Sequence, residues 1–87
     1  MYKIEYAKSV IKDLKKLPKE IKTKALTIVE KILVNNPHLG KPLTGPFKGL
    51  LKYRVGDYRI IYSIEKAKLI IFVLKIRHRK DVYSGIR

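Results

Sequence analysis

FKGLLKYRVGDYRIIYSI, residues 47–64, is the stretch whose reading decides the fold. Two runs rich in β-branched and aromatic residues flank Gly56-Asp57, a pair of the kind that closes tight hairpins. Closure there pairs Val55 with Tyr58, Arg54 with Arg59, Lys52 with Ile61 and Leu51 with Tyr62. Side chains alternate along a strand, so Leu51, Tyr53, Val55, Tyr58, Ile60 and Tyr62 form one apolar face. The other face carries Lys52, Arg54 and Arg59, with the two arginines directly opposed. Like charges across a ladder are destabilising, so stability alone does not select this arrangement. It suits a surface that receives an anion.

Downstream, residues 64–68 (IEKAK) read as a mostly polar turn, and residues 69–76 (LIIFVLKI) as a strand covered on both sides. Pairing Ser63 with Leu69 leaves a five-residue loop and sets Phe72 opposite Ile60 and Ile70 opposite Tyr62. Lys75 and Arg77 then share the face of Arg54 and Arg59, whereas a slip of one residue would bury both cations under the helices. The same register leaves Ile61, Ile71 and Val73 as an apolar patch on the open face. That patch needs cover from the C-terminal segment or from a partner.

Upstream, Tyr2 to Tyr6 alternates as a short strand with Tyr2, Ile4 and Tyr6 on one side. Ala7, Val10, Ile11, Leu14 and Leu17 recur at helical spacing, and Pro18 closes that helix. A second helix spans residues 19–34, with Ile21, Ala25, Ile28, Val29, Ile32 and Leu33 as its stripe. Together they predict an antiparallel helix pair packed on the apolar face of the hairpin. A DNA-docking helix-turn-helix fits less well, because the exposed faces offer lysine without arginine or glutamine suited to base edges. Residues 35–45 (NNPHLGKPLTG) are a loop by their Pro and Gly content. The fold class is therefore α+β: an N-terminal strand, an antiparallel helix pair and a three-stranded antiparallel meander, in a single domain over residues 1–87.

Composition narrows the function. The net charge is +14, and all five arginines lie between residues 54 and 87. Arginine grips phosphate with a bidentate fork where lysine acts as a point charge. Nucleic acids, acidic proteins and membrane surfaces are the candidate partners for such a chain. There is no cysteine, which removes disulfides and thiolate chemistry, and the two histidines, His38 and His78, are far apart. No metal-ligand spacing is recognisable and no cofactor is expected. The longest apolar runs fall well below the roughly 18 residues of a membrane span, so the expected location is cytoplasmic, with no membrane partner. The tail RHRKDVYSGIR sets Arg77, His78, Arg79 and Lys80 beside Tyr83. Cations for phosphates and a ring for stacking suit a nucleic-acid strand.

The order of elements, with LKYRVGDYRIIY (residues 51–62) and IRHRKDVY (residues 76–83), resembles the RelE/ParE superfamily of toxins from type II toxin–antitoxin pairs. The likeness runs from about Tyr2 to Tyr83 and is nearest the RelE branch, which implies a ribosome-dependent endonuclease that cuts messenger RNA. The ParE branch would imply a gyrase inhibitor, and a plain basic RNA-binding domain is a third possibility. The resemblance implies Lys52, Arg59, Arg77 and Tyr83 as catalytic residues, with Arg54 sharing their phosphate and His78, Arg79 and Lys80 contacting RNA. Its implied partners are a RelB-like antitoxin, the ribosome and mRNA. The well-known form of the site has two lysines on the first hairpin strand, at the positions of Leu50 and Lys52, and only the second is present. Arginine stays protonated and cannot act as base, which leaves Lys52 or His78.

Overall fold

The computed structural model of the protein describes residues 1–78 and 80. Arg79 and Tyr83, both named above, lie outside the described residues. The elements are β1 (Lys3–Tyr6), α1 (Lys8–Lys16), α2 (Lys19–Thr27), β2 (Lys41–Pro42), β3 (Leu51–Val55), β4 (Tyr58–Glu65) and β5 (Ile70–His78). They build one five-stranded sheet in the order β1-β5-β4-β3-β2. The meander β3-β4-β5 is antiparallel, and β1 runs parallel to β5 along the outer edge.

The β3–β4 hairpin has the register expected from Gly56-Asp57: Val55 faces Tyr58, Arg54 faces Arg59 and Leu51 faces Tyr62. Gly56 takes φ of 59°, a left-handed conformation that glycine adopts without a Cβ penalty. Alternation then sends Val55, Ile60 and Tyr62 into the core, where Val10 of α1 and Ala25 of α2 meet them. Tyr58, on the same face near the turn, is only half-buried.

Helix α2 continues without a break into a π-helical turn over Ile28–Leu33, which adds Val29 and Leu33 to the core. The amide of Val34 reaches back five residues to the carbonyl of Val29 at 3.1 Å. Both helices thus bury one stripe against the sheet, although Ile11 and Ile32 from the expected stripes are exposed. Tyr6 at the end of β1 donates a hydrogen bond to Glu30 Oε2 at 3.2 Å. Burial foremost, and then the neighbouring Glu30 charge and hydrogen bond, push the Tyr6 phenol above its ordinary range.

The third strand corrects the register expected from sequence. Ile60 faces Ile76 rather than Phe72, Tyr62 faces Val73 rather than Ile70, and Ser63 faces Phe72. The connection is four residues, 66–69, and Leu69 closes it with φ of 55°. The physical reason is a β-bulge: Lys75 pairs with Ile61 and Val73 with Tyr62, so Leu74 is extra. Strict alternation would put Ile71, Val73, Lys75 and Arg77 on one face. The inserted residue reverses the parity midway, so Ile71, Val73 and Ile76 all turn into the core while Lys75 and Arg77 do not. Ile71 and Val73 are 0% exposed and Ile61 is 1% exposed. The expected apolar patch on the open face does not exist.

Among the described residues no helix is long and apolar enough to cross a membrane.

Candidate functional site

Directly opposed residues on neighbouring strands project to the same face, and this places six cations together. Arg54, Arg59 and Arg77 form one cross-strand row on β3, β4 and β5. Lys41, Lys52, Ile61 and Lys75 form the next row, on β2, β3, β4 and β5. Strands lie about 4.8 Å apart, so the arginine row is a line of closely spaced positive charge, while Ile61 interrupts the lysine row. Packing does not call for this, and the helices cover the other face.

Part of the surface is concave. A cavity of about 460 Å³ is lined by Leu39, Lys41, Lys52, Tyr53, Arg54 and Arg59. Among the described residues no carboxylate lines it. Lys52 and Arg59 are half-buried, whereas Arg54 is exposed. The Nε atoms of Arg59 and Arg77 are both buried and have no hydrogen-bond partner among the described residues. A buried donor without an acceptor is costly, and an anion bound at the row would supply one to Arg59.

Arg77 differs from the other two arginines. It faces Arg59 across the ladder but is not among the residues lining the cavity. Its Nε lies 3.6 Å from Asp13 Oδ2 of α1, the one ion pair among the described residues. The pair is partly shielded, with the side chains 34% and 16% exposed. Contact through Nε leaves the terminal nitrogens of the guanidinium uncommitted, which suits a fork that meets a second anion.

The remaining residues named from the tail separate from this group. His78 faces Tyr58, and their rings meet edge to face at 5.2 Å and 82°. Alternation puts this pair on the opposite side of the sheet from Arg59 and Arg77. His78 Nδ1 also accepts a hydrogen bond from the Lys80 amide at 3.3 Å. Lys80 is exposed in the turn after β5. Among the described residues no cluster of three or more potential metal ligands occurs.

Three contributors escaped the sequence reading. Asp13 was one acid on a lysine-rich helix, and nothing in its spacing tied it to Arg77. Lys41 lies in the segment whose Pro and Gly content predicts a loop, and there the Lys-Pro step forms a two-residue edge strand. Tyr62 is core, as its face of the hairpin predicts, but its hydroxyl also fixes that loop. It donates to the Pro37 carbonyl at 2.6 Å and accepts from the Gly40 amide at 3.0 Å, both buried. Burial, the largest cause, raises the Tyr62 phenol above its ordinary value, and the nearby Tyr53 adds to this while the Gly40 hydrogen bond opposes it. A Cβ on Gly40 would collide with the Tyr62 hydroxyl and come within 2.9 Å of the Lys52 carbonyl, so the close approach requires glycine.

The latch yields a direct expectation. Tyr62→Phe leaves a buried carbonyl and a buried amide without their partner and should cost about 1–3 kcal/mol of stability. Urea unfolding should show this as a lower midpoint with an unchanged slope.

Residues 4–83 match the family model described as the ParE toxin of type II toxin–antitoxin system, parDE. A protein named Toxin RelE from Mycobacterium tuberculosis is 35% identical over 83 residues, covering 94% of this chain and 86% of the relative. Among solved structures, the toxin–antitoxin complex RelBE2 from Mycobacterium tuberculosis contains a chain with TM-score 0.83 and 29% identity. That match covers 90% of this chain and 98% of the other. A chain of the archaeal RelE–RelB complex from Pyrococcus horikoshii gives a TM-score of 0.73 at 32% identity, covering 90% and 94%.

Proposed function

The chain belongs to the ParE toxin family of type II toxin–antitoxin systems, and from that membership we propose that it is a ribosome-dependent endonuclease of messenger RNA. The observation that carries this reading is the row Arg54, Arg59 and Arg77, on the same face as Lys52. A site that only had to attract RNA could scatter its cations. One that stabilises a phosphorane-like transition state needs several donors on one phosphate.

The reaction is an internal displacement. The ribose 2′-oxygen attacks its own 3′-phosphorus, the bond to the 5′-oxygen breaks, and a 2′,3′-cyclic phosphate remains. Lys52 takes the 2′-hydroxyl proton, since the arginines stay protonated and His78 lies on the other face. Arg54 and Arg59 hold the phosphate oxygens as negative charge develops. Arg77, braced at Nε by Asp13, meets the charge on the departing 5′-oxygen, which leaves as a hydroxyl by taking a proton from solvent. Tyr83 stacks on a base, and Arg79 and Lys80 add contacts to the RNA backbone. No cofactor takes part, and the place of action is the cytoplasm, where ribosomes are.

The neutralising partner is a RelB-like antitoxin, by analogy with the toxin–antitoxin complexes among the solved relatives. With Ile61, Ile71 and Val73 buried, attraction rests on charge, and the bound segment is acidic. Co-expression with the adjacent gene product should give a complex that salt weakens. Charge reversal at Arg54 and Arg59 should weaken it tenfold or more, read by isothermal titration at fixed ionic strength.

A second reading has one observation in its favour: the matched family is described by ParE, the branch that inhibits gyrase. Adding the purified protein to a cell-free translation system and mapping mRNA 5′ ends separates the two. Cuts within translated reading frames support the endonuclease. Intact mRNA together with loss of gyrase supercoiling activity supports the alternative.

A further inference from the structure

Lys41 occupies the two-residue strand β2 and stands directly opposite Lys52 on β3. Both side chains line the same cavity as Arg54 and Arg59. From this juxtaposition we infer that Lys41 is a further RNA ligand, binding the phosphate next to the scissile one. The inference rests on the reading of this face as an RNA site.

Distance decides which phosphate. Lys41 and Arg59 are separated by two strand spacings, about 10 Å, and by one row. Lys41 therefore stands one strand and one row beyond Arg54 and Arg59, where a backbone that crosses the cavity from β4 towards β2 carries its next phosphate. Leu39, 49% exposed and lining the same cavity, gives the crossing strand an apolar wall beside the cations.

A simpler purpose exists for a lysine followed by proline on an edge strand: both residues discourage pairing with another chain. Edge protection, however, needs only a charge somewhere on the edge. Here the backbone just before Lys41 is pinned from inside the core. Tyr62 holds Pro37 and Gly40, and Gly40 can sit there because it has no Cβ. A second constraint follows directly, as Leu43 N donates to Leu50 O at 2.9 Å. The segment is fixed on both sides of Lys41, which holds its backbone at a defined place opposite Lys52.

The test uses a short single-stranded DNA oligonucleotide, which lacks the attacking 2′-hydroxyl and so reports binding without cleavage. Affinities are measured across a salt series for the wild-type protein, Lys41→Ala, Lys41→Arg and Lys66→Ala. Lys66 lies in the exposed β4–β5 turn and serves as the control. Lys41→Ala should reduce the slope of log K against log salt by about 0.7, the value for one phosphate contact on a single strand. Lys41→Arg should keep the wild-type slope, and Lys66→Ala should leave it unchanged. On programmed ribosomes Lys41→Ala should also slow cleavage about tenfold, as for one lost charge-assisted contact. Equal slopes for Lys41→Ala and Lys66→Ala overturn the proposal, as does a wild-type protein that fails to bind the oligonucleotide at low salt. The two readings fail separately. A lowered slope without mRNA cleavage by the wild type retains Lys41 and rejects the nuclease. Cleavage by the wild type that Lys41→Ala leaves unchanged, with an unchanged slope, does the reverse.

Discussion

Arg59→Ala is expected to slow mRNA cleavage on programmed ribosomes by about a hundredfold or more, the cost of losing one transition-state donor. Arg59 is the middle member of the arginine row, with Arg54 on one side and Arg77 on the other. It lines the cavity, and its buried Nε has no acceptor among the described residues. A phosphate that touched all three arginines would have to be centred on it. Ribosome binding should fall far less, because the lysine-rich helices share the nonspecific attraction to ribosomal RNA. Single-turnover rates at saturating protein separate the two contributions. A rate unchanged by Arg59→Ala would remove it from the catalytic group.

Arg77→Ala should cost a similar factor, roughly a hundredfold in single-turnover cleavage. The route differs, because Arg77 is held from behind by Asp13 at 3.6 Å rather than by the cavity wall. Lysine at position 77 should recover only part of the loss, since it keeps the charge but has no Nε to give Asp13 while also forking a phosphate. If Arg77 were only one cation of a generally basic surface, alanine would weaken binding slightly and lysine would restore it fully. Cleavage rates of the two variants, compared at saturation, distinguish these patterns. Removing Arg77 also strips Asp13 of its partner and leaves a partly buried carboxylate oxygen unpaired, so a modest loss of stability should accompany the kinetic effect.

The central hairpin was legible in the sequence because two independent signals agree there. Gly56-Asp57 fixes where the chain reverses, and strict alternation on both sides fixes which side chains go in. The helices were legible from their stripes, although Ile11 and Ile32 show that the stripes are narrower than the apolar positions on them. Strand β5 was harder. Its run of Ile, Phe, Val and Leu satisfies either parity, so nothing in residue type reveals the bulge at Leu74. Choosing the register by keeping Lys75 and Arg77 out of the core gave the right face for the cations. It gave the wrong face for Ile71 and Val73, since one strand can serve both demands only by breaking its period.

The site divides in the same way. Lys52, Arg54 and Arg59 could be assembled from the hairpin alone, and Arg77 joined them through the charge argument. Lys41 and Asp13 could not, because each depends on a long-range contact: an edge strand formed after a proline-rich loop, and a helix lying against β5. The position of His78 followed from the corrected register, which pairs it with Tyr58 and takes it away from the arginines.

The most direct test is the chemistry of the cut ends. Ribosomes stalled on a defined mRNA are treated with the purified protein, and the 3′ end of the upstream fragment is identified by mass spectrometry, with Arg59→Ala in parallel. Attack by the 2′-oxygen predicts a 2′,3′-cyclic phosphate from the wild type, produced only when ribosomes are present and nearly absent with Arg59→Ala. A 3′-hydroxyl end, or mRNA that stays intact while translation stops, would contradict the account.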